Sequence, residues 1–395
     1  MSEWKNGILG EIINLKRGYD LPKGIREAGE YPLYSSSGLS DRINEYKVKG
    51  PGVITGRYGS IGEVFYSWND FWPLNTTLYV EDFKGNDEKF IYYYLKTINY
   101  NQYSDKSAVP GINRNHLHEL AVKIPPLPVQ RRIANILSSL DDKIENNCKT
   151  CEKLEEIAQA IFKRWFVDFE FPNEEGFPYK SSGGEMVYCE ELGKEIVKGW
   201  RVATINDCCE KIYNGGTPKR DNEEYWNSND IPWLTSGEVR ENIINKTDNY
   251  ISEQGFNNSS AKWAPALSTV VALYGATAGQ VALLAIDTTT NQAVCSLIAK
   301  KHFAFYNYLV LSLSVKELFN KAIGSAQQNI SKGIVENYRI LMPSDKIIEG
   351  FDKAIQSTFF KIISYKNQIE TLQQVRDALL PKLISGELAV DGAEV

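Results

Sequence analysis

Two pairs of side chains stand at spacings that could do chemistry: Cys148-x-x-Cys151 and His116-x-His118. A Cys pair of this spacing suits zinc only when a second pair completes four ligands. No second Cys or His pair stands at suitable spacing, and Cys208 and Cys209 are adjacent, which suits a ligand pair poorly. Cys151 falls on a heptad seam with Cys148 beside it, so both are expected as buried helix thiols. His116 and His118 flank Leu117 just ahead of a strand-like run and are expected as loop histidines bonded to backbone. With three His in 395 residues, His-based catalysis has little to draw on. The sequence holds no G-x4-G-K-[ST] loop, no Gly-rich dinucleotide fingerprint, no G-x-S-x-G elbow and no H-E-x-x-H. It also lacks an Asn-Pro-Pro-Tyr-like motif; the nearest Pro-Pro is Ile124-Pro125-Pro126-Leu127, ahead of a helix. A catalytic centre in this chain is not expected.

The elements that position the remaining polar loops come twice. Trp4 and Pro22-Lys23 recur as Trp200 and Pro218-Lys219, 196 residues later. Tyr58-Gly59-Ser60-Ile61-Gly62-Glu63-Val64 resembles Tyr274 to Val281, and Asn75 matches Asn291 at an offset of 216. Ile112, Asn113 and Pro125 match Ile330, Ser331 and Pro343 at 218. The growing offset marks insertions within a tandem duplication. Each repeat opens with short Val/Ile/Tyr/Phe runs broken by Gly, Asn and Pro, which predicts a mixed β-rich head. Helices are expected in it at residues 86–99 and 303–323.

Each repeat closes with a long helix. The first seam reads Leu137, Leu140, Ile144, Asn147, Cys151, Leu154, Ala158, Ile161, Trp165; the second reads Ile355, Thr358, Ile362, Tyr365, Ile369, Leu372, Arg376, Leu379, Leu383. Spacing alternates three and four, and every member has its counterpart at 218. Two such helices most simply bury their seams on each other. A short connection favours the antiparallel pairing. The expected fold class is α+β: two pseudo-symmetric mixed α/β heads joined by two long helices in an antiparallel coiled coil, with the heads at opposite ends. The expected divisions are residues 1–127 (first head), 128–170 (first long helix), 171–199 (linker, irregular surface chain), 200–345 (second head), 346–386 (second long helix) and 387–395 (tail). Phe162, Trp165, Phe166, Phe169 and Phe171 crowd the end of the first helix and are expected to leave an apolar patch for a partner to cover.

Hydrophobic residues at 43% and charged residues at 24% exclude disordered and collagen-like classes. No apolar run approaches a membrane span, and the N-terminus lacks a signal-peptide layout, so a cytoplasmic location is expected. Net charge is −6, most of it between residues 128 and 199, while each head is close to neutral.

Four stretches carry a family resemblance. Ile124-Pro125-Pro126-Leu127-Pro128-Val129-Gln130-Arg131-Arg132-Ile133-Ala134 resembles the junction into a first conserved helix, and Ile161 to Phe169 that helix's end. Ser181 to Met186 with Gly199-Trp200 resembles a linker, and Leu379 to Leu388 a C-terminus. All four resemble the DNA-specificity subunit of type I restriction–modification enzymes. The junction is degraded in the second repeat, where Pro343-Ser344-Asp345-Lys346 stands. The resemblance implies a non-catalytic subunit with two target-recognition domains, each reading one half of a split site on double-stranded DNA. The helix pair would set the spacer and dock two methyltransferase (modification) subunits. Restriction/translocase subunits would join outside, and the methyl donor, ATP and magnesium would belong to those partners.

On that reading, donors on loops should meet bases and cations should meet phosphate. The first head offers Lys23 and Arg26, then Arg57, Tyr58 and Ser60, then Asn75, then Asn113 and Arg114. The second offers Lys219 and Arg220, then Tyr274, Thr277 and Gln280, then Asn291 and Gln292, then Gln328, Asn329 and Lys332. Positions that differ between repeats, such as Arg57 opposite Leu273 and Arg114 opposite Lys332, are better candidates for half-site preference than matched ones such as Asn75 and Asn291. A coiled-coil scaffold binding proteins or glycans and a nuclease or methyltransferase with a cryptic site are the rival classes.

Overall fold

A computed structural model describes residues 4–103, 111–320 and 329–390. They fall into two compact units, Met1–Asn146 with Ile369–Val395, and Asn147–Gln368.

In the first unit the strand Gly52–Gly56, buried at every position, is the centre of a four-stranded sheet. A short continuous apolar run suits a strand covered on both faces. The sheet order is Asn14–Arg17, Thr77–Asp82, Gly52–Gly56, Val64–Ser67. A smaller sheet sets Ala28–Ser35 between antiparallel Gly38–Ile43 and parallel Trp72–Pro73. The first strand, Lys5–Ile8, pairs antiparallel with Ala121–Ile124, so the head closes on itself. Helix Glu88–Lys96 starts where the Asp87 carboxylate accepts the Phe90 N–H at 2.9 Å. Its Phe90, Ile91 and Leu95 enter a core that also takes Ile133, Leu137, Leu383 and Ile384 from the long helices.

The second unit repeats this plan. Its larger sheet runs Cys209–Asn214, Val294–Ala299, Thr269–Ala272, Val281–Leu284, with Ile243–Ile244 added at the edge. Its smaller sheet sets Ile231–Leu234 between antiparallel Asn249–Ile251 and parallel Thr288–Thr290. Arg201–Thr204 closes the head against Arg339–Met342. The helix expected over 303–323 is two helices, Ala304–Leu313 and Val315–Asn320, parted at Ser314; the segment from 321 lies outside the described residues.

The long helices are Leu127–Phe166 and Asp345–Ser385. All eighteen seam residues named above are buried or half-buried. In the first unit Arg376 Nη1 meets Asp141 Oδ1 at 2.7 Å, while Leu137 shares a core with Leu383. In the second, Asn147 Nδ2 donates to Gln368 Oε1 at 3.4 Å, and Phe162 packs on Phe351 with ring centroids 6.1 Å apart. Within either unit, rising numbers on one helix meet falling numbers on the other: the pair is antiparallel.

Four expectations need correction. Phe162, Phe166, Phe169 and Phe171 are not an open patch; all are buried, packed on one another, Trp200, Tyr306 and Phe351. The cluster forms because the second head's own aromatics close over the helix end. Cys148 is exposed and only Cys151 is buried, since the seam admits one of the two faces. The linker is not wholly irregular: Met186–Cys189 and Lys194–Val197 form a hairpin, and Phe171 stacks on Trp200 at 5.4 Å. His116 and His118 sit in a short helix, Arg114–His118, rather than a loop, and His118 Nε2 accepts the Leu15 N–H at 2.9 Å.

Candidate nucleic-acid interface

Backbone hydrogen bonds draw the candidate loops of each head to one edge of its larger sheet. In the first head Tyr19 N–H donates to Pro73 O (2.8 Å), Arg57 N–H to Thr76 O (2.9 Å) and Ile112 N–H to Arg57 O (3.1 Å), and Tyr58 bridges to Gly111. A Cβ on Gly111 would overlap the Tyr58 ring, which explains the glycine. In the second head Gly216 N–H donates to Thr290 O (2.8 Å), Leu273 N–H to Ala293 O (2.8 Å) and Ile330 N–H to Leu273 O (2.8 Å), and Tyr274 bridges to Asn329. The four loops that sequence matching selects therefore converge in each head.

The side chains on that edge divide by how much of their bonding capacity is already used. Lys23, Ser60, Asn113, Arg114, Lys219, Arg220, Tyr274, Gln280, Gln292 and Asn329 are exposed. Asn113 caps its helix by accepting the Asn115 N–H at 3.0 Å. Arg26 donates through Nε and Nη2 to Leu21 O at 3.2 and 3.0 Å, which holds its own loop. Arg57 donates through Nε to Ile112 O at 3.2 Å and lies over the Tyr58 ring at 4.6 Å. Asn75 donates to Asp20, and the Asn291 amide oxygen accepts the Ala293 N–H at 3.0 Å. Gln292 accepts from Thr217. Lys332 is held by Glu336 at 2.7 Å and Ile212 O at 3.3 Å. Thr277 is buried, 4% exposed. Gln328 lies outside the described residues.

A second feature of each head was not legible as a motif. Beside the edge, the loop entering the smaller sheet and that sheet's antiparallel strand enclose a cleft. It measures about 490 Å³ in the first head, where Arg26, Asn44, Glu45, Lys47 and Trp72 line it. In the second it measures about 520 Å³ and is lined by Arg220, Trp226, Asn227, Asn229, Asp248 and Tyr250 among others. The walls come from residues some twenty or more apart, so no local spacing announces them. The one sequence hint is that the repeat offset grows from 196 at Lys219 to 216 at Asn291, which places an insertion in this part of the second head. Among the described residues no group of three or more His, Cys, Asp or Glu could hold a metal ion. No described helix is long and apolar enough to cross a membrane.

Comparison with known proteins agrees with this duplicated arrangement. The family model described as type I restriction modification DNA specificity domain matches residues 1–156 and 197–377. The type I restriction enzyme MjaIX specificity subunit of Methanocaldococcus jannaschii is 30% identical over 356 residues, covering 87% of this chain and 78% of the relative. The HindI specificity subunit of Haemophilus influenzae is 28% identical, covering 72% of each chain. The crystal structure of a type I restriction–modification S subunit from M. genitalium superposes with a TM-score of 0.64 at 18% identity, over 97% of this chain and 96% of that one, a likeness of fold. With two copies of the matched domain and one head-and-helix plan repeated in both, the chain belongs to the specificity-subunit family of type I restriction–modification systems.

Proposed function

We propose that each head reads one half of a bipartite DNA target, and that the helix pair sets the spacer between the halves and docks two modification (methyltransferase) subunits. The observation that carries this reading is the repeated edge. The same loops converge in both heads by the same backbone bonds, yet half-buried Arg57 and exposed Arg114 in one stand where the other has buried Leu273 and half-buried Lys332. Two equivalent surfaces with different side chains suit two different half-sites. The near-neutral heads and net charge of −6 fit a subunit that relies on its partners for much of the phosphate attraction. Restriction/translocase subunits join that complex, and methyl donor, ATP and magnesium chemistry lies with the partners; this chain supplies recognition and no catalytic group. The test is methylome sequencing of cells that carry the modification subunit with and without this chain. A split motif, methylated only when the chain is present, is the expected result. The same motif in both cultures, or a continuous one, would overturn the reading.

A further inference from the structure

We infer that base discrimination resides in the cleft of the smaller sheet, which recurs in both heads with different walls; this rests on the reading that the heads bind DNA. A reading site in a duplicated protein should keep its place in the fold and change its chemistry. The convergent edge keeps its place, but its differing positions are mostly engaged or buried: Arg57 donates to Ile112 O, Lys332 is held by Glu336 and Ile212 O, and Leu273 is buried, while the matched Asn75 and Asn291 are each engaged within their own head. The cleft keeps its place and changes its side chains.

In the second head Arg220 lies over Trp226, its Cζ 4.2 Å from the ring centroid. Trp226 is itself fixed, its indole N–H donating to Lys219 O at 3.0 Å and its ring edge-on to Trp233 at 4.9 Å. This shelf holds a guanidinium in one orientation at the side of the cleft at little entropic cost on binding. Asn227, Asn229 and Asp248 line the same cleft and are exposed, and among the described residues no group engages their side chains. Asparagine amides match the N6/N7 edge of adenine, and a carboxylate accepts from cytosine N4. The first head also places a cation on an indole, Lys47 over Trp72 at 4.8 Å. There the amide is spent internally, because Asn44 donates to Glu27 at 2.6 Å, and Arg26 is tied to Leu21 O. The first cleft thus presents a point charge and the second a set of open amides, so the two heads favour different base edges.

The experiment uses the full chain assembled with its modification subunits, carrying either N227A/N229A in the second head or K47A in the first. These side chains are at the surface, so folding should be preserved. Genome-wide methylated motifs and competition binding with duplexes changed at single base pairs are the readouts. N227A/N229A is expected to relax one or two positions of one half-site, discrimination there falling about tenfold or more, with the other half unchanged. K47A should act on the opposite half alone. If N227A/N229A keeps the parent's discrimination at every position, or weakens all sequences equally, the cleft does not read bases. A parent complex that methylates no split motif would instead strike at the proposed function, so the two failures are distinguishable.

Discussion

His118 accepts the Leu15 N–H through Nε2, a bond that only an unprotonated nitrogen can make. Burial, then the nearby Arg114 and Lys84 charges, hold its pKa below the ordinary histidine value. A folded pKa below the unfolded one means that the bond's full contribution is present above about pH 6.5 and is lost as the pH falls through that value and below. The chain should therefore melt at lower temperature toward pH 5, and His118→Gln, whose amide oxygen can accept the same N–H, should flatten that slope. Parallel losses in the parent and the variant would contradict this role. At this scale the sequence was a fair guide to which loops matter and a poor one to which side chains are free. Thr277 sits in a polar, Gly-rich turn yet is buried, and Arg26 follows an exposed Pro22 turn yet spends its fork on Leu21 O. Hydrogen-bond partners distant in sequence decide such cases, and spacing does not encode them.

The long helices were the most legible elements, because a 3–4 alternation kept in phase over two repeats admits few other structures. The repeat offset also shows where their symmetry breaks. Asp141 accepts from Arg376 Nη1 at 2.7 Å and from Tyr93 OH at 2.6 Å, tying the first head's helix to both long helices. The equivalent positions in the second repeat are Phe359 and Ala158, both buried, and there Phe305 stacks on Phe359 at 4.5 Å. A polar knot in one unit stands where the other has an aromatic one. Asp141→Ala and Arg376→Ala should each destabilise the chain, and the double variant should cost less than their sum, with a coupling of about 0.5–3 kcal/mol, read by chemical unfolding. Additive effects would mean that the pair contributes no mutual stabilisation. The aromatic end of the first helix was misjudged from sequence because its cover, Trp200, Tyr306 and Phe351, comes from positions 34 to 189 residues beyond Phe162 and Phe166.

For the whole molecule, the duplication and the family were readable from the repeat offsets and the conserved-looking junctions, while the clefts were not, since they exist only once distant strands pair. The proposed spacer role of the helices makes a further prediction. Their ends are poor places for an insertion, because Phe162, Phe166, Leu383 and Ile384 are buried there. Seven residues added to each helix at the level of Asn147 and Gln368 would keep the heptad phase and add about 10 Å at ~1.5 Å per residue. The unread spacer should then grow by about three base pairs at ~3.4 Å each, with both half-sites unchanged; an unaltered spacer in an active complex would rule the role out. The central claim, that each head reads its own half of the target, is tested most directly by exchanging residues 1–127 for the first head of another family member and sequencing the methylome. A motif in which one half and only that half is replaced is the predicted result, and a motif changed in both halves, or in neither, would contradict it.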